Sequence, residues 1–206
     1  MAQFFQIHPD NPQGRLIHQA VEILRKGGVI AYPTDSSYAL GCTIGNKDAM
    51  EAIRRIREVD SDHNFTLICR DLSELSAYAR VDNDMYRLLK RFTPGPYTFI
   101  LAATREVPRR LQHPKRKTIG LRVPDFPIVT ALLAELNEPL MSSTLIMPGD
   151  SLPLNDAAEI REQLEHQVDM VIDGGPCDLS PTSVVDLVEG VPRVLRIGKS
   201  DVEAFT

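Results

Sequence analysis

Short apolar runs alternate with amphipathic stretches along this chain, and glycine, proline or small polar clusters separate them. After Asn11-Pro12, which reads as an N-cap with proline at the first helical position, Leu16, Ala20, Ile23 and Leu24 recur at helical spacing. Arg25 and Lys26 sit in the last turn and Gly27-Gly28 stop that helix. An apolar run, Val29 to Tyr32, follows as a strand, breaks at Pro33-Thr34-Asp35-Ser36-Ser37, and resumes from Tyr38 to Thr43. Asn46 caps a second helix with Ala49, Ile53 and Ile56 inward, and Phe65 to Cys69 is strand-like. Asp71 and Ser73 start further helical segments that run to about Arg91. Thr93-Pro94-Gly95-Pro96 is a rigid turn into the strand Tyr97 to Leu101.

The second half repeats the alternation. Ile119 to Val123 and Pro139 to Thr144 are strands around a helix with Ile128, Leu132 and Leu136 inward. Asp156 and Glu159 are spaced as a capping box for the helix carrying Ile160 and Leu164. Asp169 to Asp173 is a short strand, and Ser183 to Val188 and Val191 to Ile197 form a hairpin around Glu189-Gly190. With this hairpin the sheet is mixed, not purely parallel. The chain of 206 residues shows no repeat, low-complexity segment or linker, so the expectation is one α/β domain over 1–206.

Composition narrows the class. A hydrophobic share of 43% with 25% charged residues is that of a globular protein with a sizeable core. No apolar run approaches the roughly 20 residues of a membrane span, and Met1-Ala2-Gln3-Phe4-Phe5 lacks the basic start of a secretory leader, which predicts a cytoplasmic protein. Cys42, Cys69 and Cys177 are widely spaced with no CxxC, and His8, His18, His63, His113 and His166 are scattered with no HExxH. No metal site is therefore expected, and Cys42 and Cys69 read as buried free thiols. A net charge of −5 argues against a general nucleic-acid coat but leaves room for the basic segment Arg105 to Lys117, with Arg109, Arg110, Lys115, Arg116 and Lys117. That segment is either a solvated loop or a contact for nucleotide phosphates or an RNA backbone.

Chemistry-bearing residues gather at strand ends: Thr34, Ser142 to Thr144 and Ser183 supply hydroxyls, and Arg70, Arg122 and Arg196 lie in or beside apolar strands. An arginine in such a run must pair with an anion, reach solvent or bind a ligand's carboxylate, and Asp125 or Asp186 is the structural candidate for Arg122. Thr34 to Ser37 form either a self-satisfied turn or a polar floor for a small ligand. No Walker A, GxGxxG or nucleophile elbow is present.

The order of these blocks resembles the YrdC/YciO family, its bacterial YciO branch most. The blocks are Tyr32-Pro33-Thr34-Asp35 with Tyr38-x-Leu40-Gly41-Cys42, Pro94 to Phe99, Leu121-Arg122-Val123-Pro124, Pro139-Leu140-x-Ser142-Ser143-Thr144, Pro181 to Asp186, and Arg196-Ile197-Gly198. The resemblance implies a twisted open mixed sheet flanked by helices with a basic concave face. Its best-known members make L-threonylcarbamoyl-AMP from threonine, bicarbonate and ATP, a step in modifying adenosine 37 of tRNA, and members have been described as binding double-stranded RNA. Carried over, Thr34, Arg122, Ser142 and Ser183 would hold threonine, and Thr118, Thr144 and Arg196 would lie near the nucleotide. ATP with Mg²⁺ is then a substrate, and no tightly bound cofactor or catalytic side chain is implied.

The sequence departs from the synthase pattern. Val59 and Ser61 stand where synthases carry Lys-x-Arg, Ile146 stands for the asparagine of Ser-x-Asn, and Arg70 replaces a histidine. Charge-assisted hydrogen bonds contribute about 1.5–3 kcal/mol each, so triphosphate handling weakened about a hundredfold or more is expected, unless Arg54, Arg55, Arg57 or the basic segment substitutes. Three readings follow: a weak or altered synthase-like nucleotidyltransferase, a non-catalytic nucleotide or double-stranded RNA (tRNA) binder, and a small-molecule sensor.

Overall fold

The structure, a computed structural model, describes residues 1–60 and 63–206. Its strands are β1 (Gln3–Gln6), β2 (Ile30–Tyr32), β3 (Ala39–Thr43), β4 (Thr66–Ile68), β5 (Tyr97–Ala102), β6 (Thr118–Arg122), β7 (Leu140–Thr144), β8 (Met170–Asp173), β9 (Ser183–Asp186) and β10 (Arg193–Arg196). The helices are α1 (Gly14–Arg25), α2 (Lys47–Arg57), α3 (Leu72–Tyr78), α4 (Asn83–Phe92), α5 (Pro127–Leu136) and α6 (Ala157–Leu164). All described strands join one open sheet in the order β1-β8-β2-β3-β7-β4-β6-β5-β9-β10. Parallel pairs such as β4/β6 and β5/β9 sit beside antiparallel ones such as β3/β7 and β9/β10, so the sheet is mixed, as the hairpin predicts.

Local chemistry sets most boundaries. The side chains of Asn46, Asp71, Asp82 and Asp156 each accept from a backbone N–H in the first turn of α2, α3, α4 and α6. Asp82, not Ser73, therefore starts the second of the helices after β4. The capping box at α6 is half made: Asp156 caps, while the Glu159 carboxylate accepts from Gln163 instead. α1 begins at Gly14, not at Pro12, because Asn11 and Asp10 turn their N–H groups to His8 Nδ1 and Gln13 Oε1 accepts from the His8 N–H. Its inward face is Ile17, Ala20, Val21 and Leu24, so Leu16 and Ile23 flank the buried stripe. The strand β1, absent from the sequence expectation, adds a parallel edge to β8.

Two apolar layers enclose the sheet. One face carries α1 and α5, which bury Leu24, Val21, Leu132 and Leu136 against Ile30, Tyr32, Leu140 and Ile68. The other carries a larger layer in which α2, α4 and α6 pack on Leu67, Leu121, Phe99 and Val185. Side chains alternate between faces along each strand. The α1/α5 layer draws no residue from β5, β6, β9 or β10. On those strands the alternate positions, Thr98, Ile100, Gly120, Arg122 and Val184, are left to line a cavity. Cys42 and Cys69 lie buried as free thiols, and burial raises Cys42 to about 12, so both are inert packing. No helix among the described residues is long and apolar enough to cross a membrane.

Candidate functional site

The uncovered sheet face forms a cavity of about 460 Å³. Its floor follows the register: Ser142, Thr66 and Gly120 lie side by side on β7, β4 and β6, and Ile100 continues the row on β5. Gly120 keeps this floor low, since a Cβ there would sit 3.3 Å from both Thr66 Oγ1 and Thr98 Cγ2. The rim comes from Ser37, Arg57, His63, Ser143, Thr144 and Ile146 on one side and from His113, Arg116, Thr182 and Arg196 on the other.

Arg122 is the deepest of the cavity's cations. Its Nη2 donates to Asp35 Oδ1 at 2.5 Å, with both side chains 8% exposed. Asp35 Oδ2 accepts from the Asp125 N–H, and the Asp35 carbonyl accepts from Lys199. The partner of Arg122 is thus Asp35, across the Thr34–Ser37 turn, and neither Asp125 nor Asp186; the buried Asp186 pairs with Arg116 at 2.7 Å. Arg122 Nε is buried and has no hydrogen-bond partner among the described residues. An unpaired buried donor is costly, and this one belongs to a guanidinium-bearing residue that lines the cavity.

The remaining expected residues divide. Ser142 lines the cavity, its Oγ 2.6 Å from the Tyr32 hydroxyl. Thr118, Thr144 and Arg196 line it as well; Arg196 donates to Thr182 O and Thr182 Oγ1. Thr34 and Ser183 are not among its lining residues. The Thr34 hydroxyl donates to Ser37 O at 2.7 Å and accepts from the Ser36 N–H, so it holds the turn that presents Ser37 and Asp35. Ser183 shares parity with Val185 and points into the opposite layer, where its Oγ donates to Ser200 O and accepts from the Gly198 N–H. The structure thus brings Arg122 and Ser142 to the cavity wall and places Thr34 and Ser183 outside its lining.

Several polar lining groups carry no expectation as ligand contacts from sequence, among them His63, Thr66 and Thr98. Thr66-x-Ile68 and Thr98-x-Ile100 place a hydroxyl in period with an apolar residue inside a strand, which is the legible trace of a polar sheet face. His63, read as a loop residue, is half-buried between Arg57 and Ser143; burial first, then the charges of Arg57 and Arg54, lower its pKa below 6.5. Arg70 lies outside the cavity, beside Asp71 and Asn137, and Ser61 lies outside the described residues. Of the basic segment, Arg116 lines the cavity, Arg110 donates to Gly45 O, Lys117 donates to Pro114 O, and Arg109 and Lys115 are exposed.

A sheet whose uncovered face holds arginines and hydroxyls defines an α/β protein with a pocket complementary to anions. The family model described as telomere recombination (Sua5, YciO, YrdC) matches residues 22–198, and the chain belongs to that family. It is 60% identical over 205 residues to the protein YciO of Escherichia coli K12, with 100% of both chains covered, and the crystal structure of E. coli YciO superposes with a TM-score of 0.96. A threonylcarbamoyl-AMP synthase of Vibrio vulnificus is 30% identical over 161 residues, covering 77% of this chain and 86% of that one. The fold also matches P. abyssi Sua5 complexed with L-threonine, at a TM-score of 0.89 and 24% identity over 98% of this chain and 59% of that one.

Proposed function

We propose that the cavity binds a small amino acid at its Arg122 end together with an adenine nucleotide, and that the chain is a threonylcarbamoyl-AMP synthase-like nucleotidyltransferase of weak or altered activity. The observation that carries this is the Arg122 guanidinium: fixed by Asp35, yet with Nε buried and unpartnered. A ligand carboxylate satisfies that donor, and a guanidinium fork suits a carboxylate better than an ammonium does. Ser142 and Ser37 supply short hydroxyls beside it. The names of the Vibrio synthase and of the threonine-bound P. abyssi protein support threonine as that amino acid.

In this reading the threonine amine captures CO₂ as a carbamate, whose oxygen attacks the α-phosphate of ATP as pyrophosphate leaves. The protein contributes positioning and charge neutralisation by Arg57, Arg116 and Arg196, with no covalent step of its own. Mg²⁺ enters with ATP as part of the substrate. The test is a melting assay with threonine and ATP, joined to pyrophosphate release with bicarbonate present. A ligand at 100 times its Kd stabilises by about 2.7 kcal/mol. Arg122→Ala is expected to abolish the threonine-dependent shift; a variant that keeps it, or a wild type that shows none, overturns the proposal.

A second reading has its own observation: Arg109 and Lys115, neighbours in sequence of the lining residues Leu111, His113 and Arg116, are exposed, and no ion pair holds them among the described residues. Duplex RNA is the partner they fit, and its affinity should fall steeply with salt; a flat salt response removes this reading.

A further inference from the structure

A second concavity lies away from the cavity on the uncovered sheet face. It encloses about 720 Å³ and shares no lining residue with that cavity. It sits beyond the end of β5, on the other side of the sheet: Ala103 continues the parity of Phe99 and Leu101 into the larger apolar layer, whereas Thr98 and Ile100 line the cavity. Four cations line it. Arg80 comes from the connection between α3 and α4, Arg105 from the turn after β5, Arg109 from the 3-10 turn Arg109–Leu111, and Lys117 from the position before β6. No carboxylate is among its lining residues, in a chain whose net charge is −5.

The backbone that carries these cations is held by hydrogen bonds across the segments. The Arg80 N–H donates to Ala102 O at 2.8 Å, the Thr104 N–H to Tyr78 O at 3.0 Å and the Ala103 N–H to Lys117 O at 3.0 Å. Gln112 Nε2 donates to Val107 O at 2.8 Å and ties the 3-10 turn to the same unit. The charged groups themselves are unspent. The guanidinium groups of Arg80, Arg105 and Arg109 have no hydrogen bond or ion pair among the described residues, and the Lys117 ammonium donates to Pro114 O alone. Elsewhere Arg25, Arg54, Arg70, Arg87, Arg116 and Arg122 each meet a carboxylate. Like charges gathered without counter-charges repel, and a ligand that brings several negative charges at once relieves that repulsion. Guanidinium forks match phosphate oxygens. A recess, unlike a flat stripe, suits a short chain of phosphates over a long polymer backbone.

We propose that this recess is a binding site for an oligophosphate of three or more negative charges, either free or carried by a nucleotide. It does not rest on the amino-acid and nucleotide reading of the cavity, and either can fail without the other.

Calorimetric titration of the full chain at low salt, without divalent metal, tests this with inorganic triphosphate, orthophosphate, ATP and a short RNA duplex as separate titrants. Triphosphate is expected to bind about tenfold or more tighter than orthophosphate. Replacing the exposed pair together, Arg80→Gln with Arg105→Gln, should weaken triphosphate by about tenfold or more at an unchanged melting temperature. Lys26→Gln with Lys47→Gln removes the same charge from exposed positions outside the recess and should leave the affinity within about twofold; an equal loss there would show a general attraction of charge and overturn the proposal. Arg196→Gln, in the cavity, should also leave it; if that variant abolishes triphosphate binding and the Arg80, Arg105 pair does not, the anion belongs to the cavity and the proposal fails. ATP affinity that falls with the Arg80, Arg105 pair extends the site to nucleotides, ATP affinity that does not restricts it to free oligophosphate, and both support it. No triphosphate binding, or RNA binding that needs Arg80 and Arg105 while triphosphate is ignored, overturns it.

Discussion

Asp35 is the residue whose loss should be felt most. It sits in a turn that Thr34 closes, and both of its carboxylate oxygens are used, one by Arg122 and one by the Asp125 N–H. Removing one partner of a buried pair leaves an uncompensated charge, at a cost of about 3–5 kcal/mol. Asp35→Asn is expected to lower stability by that order in urea melts; a change below about 1 kcal/mol, the scale of a surface pair, would show that the pair is solvated. His63 supplies a pH signature. Its pKa is lowered in the fold by burial and then by Arg57 and Arg54, so protonation favours the unfolded chain. The stability it permits is complete above the ordinary value near 6.5 and is lost as pH falls through and below it. His63→Gln should flatten that part of the stability profile, and an unchanged acid limb in paired melts would count against it. None of these pairings is written in sequence spacing: Arg122 and Asp35 lie 87 positions apart, and an arginine in an apolar run announces a need for an anion without saying which.

Among the elements, those with local signals were legible. The caps at Asn46, Asp71 and Asp156, the β9–β10 hairpin and the inward residues of α5 follow from side-chain chemistry within a few positions. The strand Gln3–Gln6 was not, because four residues with polar ends carry almost no periodicity and become a strand only when β8 offers an edge. α1 was rotated by one residue in the expectation because Leu16 and Ile23 compete with Ile17 and Val21 for the apolar stripe, and only the packed sheet decides. The motif around Ser183 points to the site, but the parity of β9 turns its side chain the other way. There it ties down the segment after β10, through Gly198 N–H and Ser200 O. Gly198 is needed for that approach, since a Cβ would come within 2.3 Å of Pro181 O and 2.5 Å of Thr182 O. Gly198→Ala should destabilise by about 1–3 kcal/mol, a fall in melting temperature of about 2–4 °C per kcal/mol. A variant that melts with the wild type would mean that this strap is not held as described.

For the molecule as a whole, the sheet has two edges and treats them unequally. β10 ends one side with Val191 and Ile197 exposed at 75% and 73%, while β1 covers β8 on the other. A chain shortened by residues 1–6 would bare the β8 backbone, an open invitation to intermolecular pairing. Such a variant is expected to form higher oligomers with rising concentration on size-exclusion chromatography; a monodisperse, wild-type-like profile would contradict the role of β1 as a guard strand.

The walls of the cavity are drawn from Ser37 through Arg196, so they come from both halves of the polypeptide. A nascent chain leaving the ribosome therefore lacks one side of this cavity until the stretch around Arg196 has emerged and docked. If the proposed binding holds, occupancy would report completed synthesis and assembly together, and a fragment missing that stretch would bind more weakly however well its first half folds.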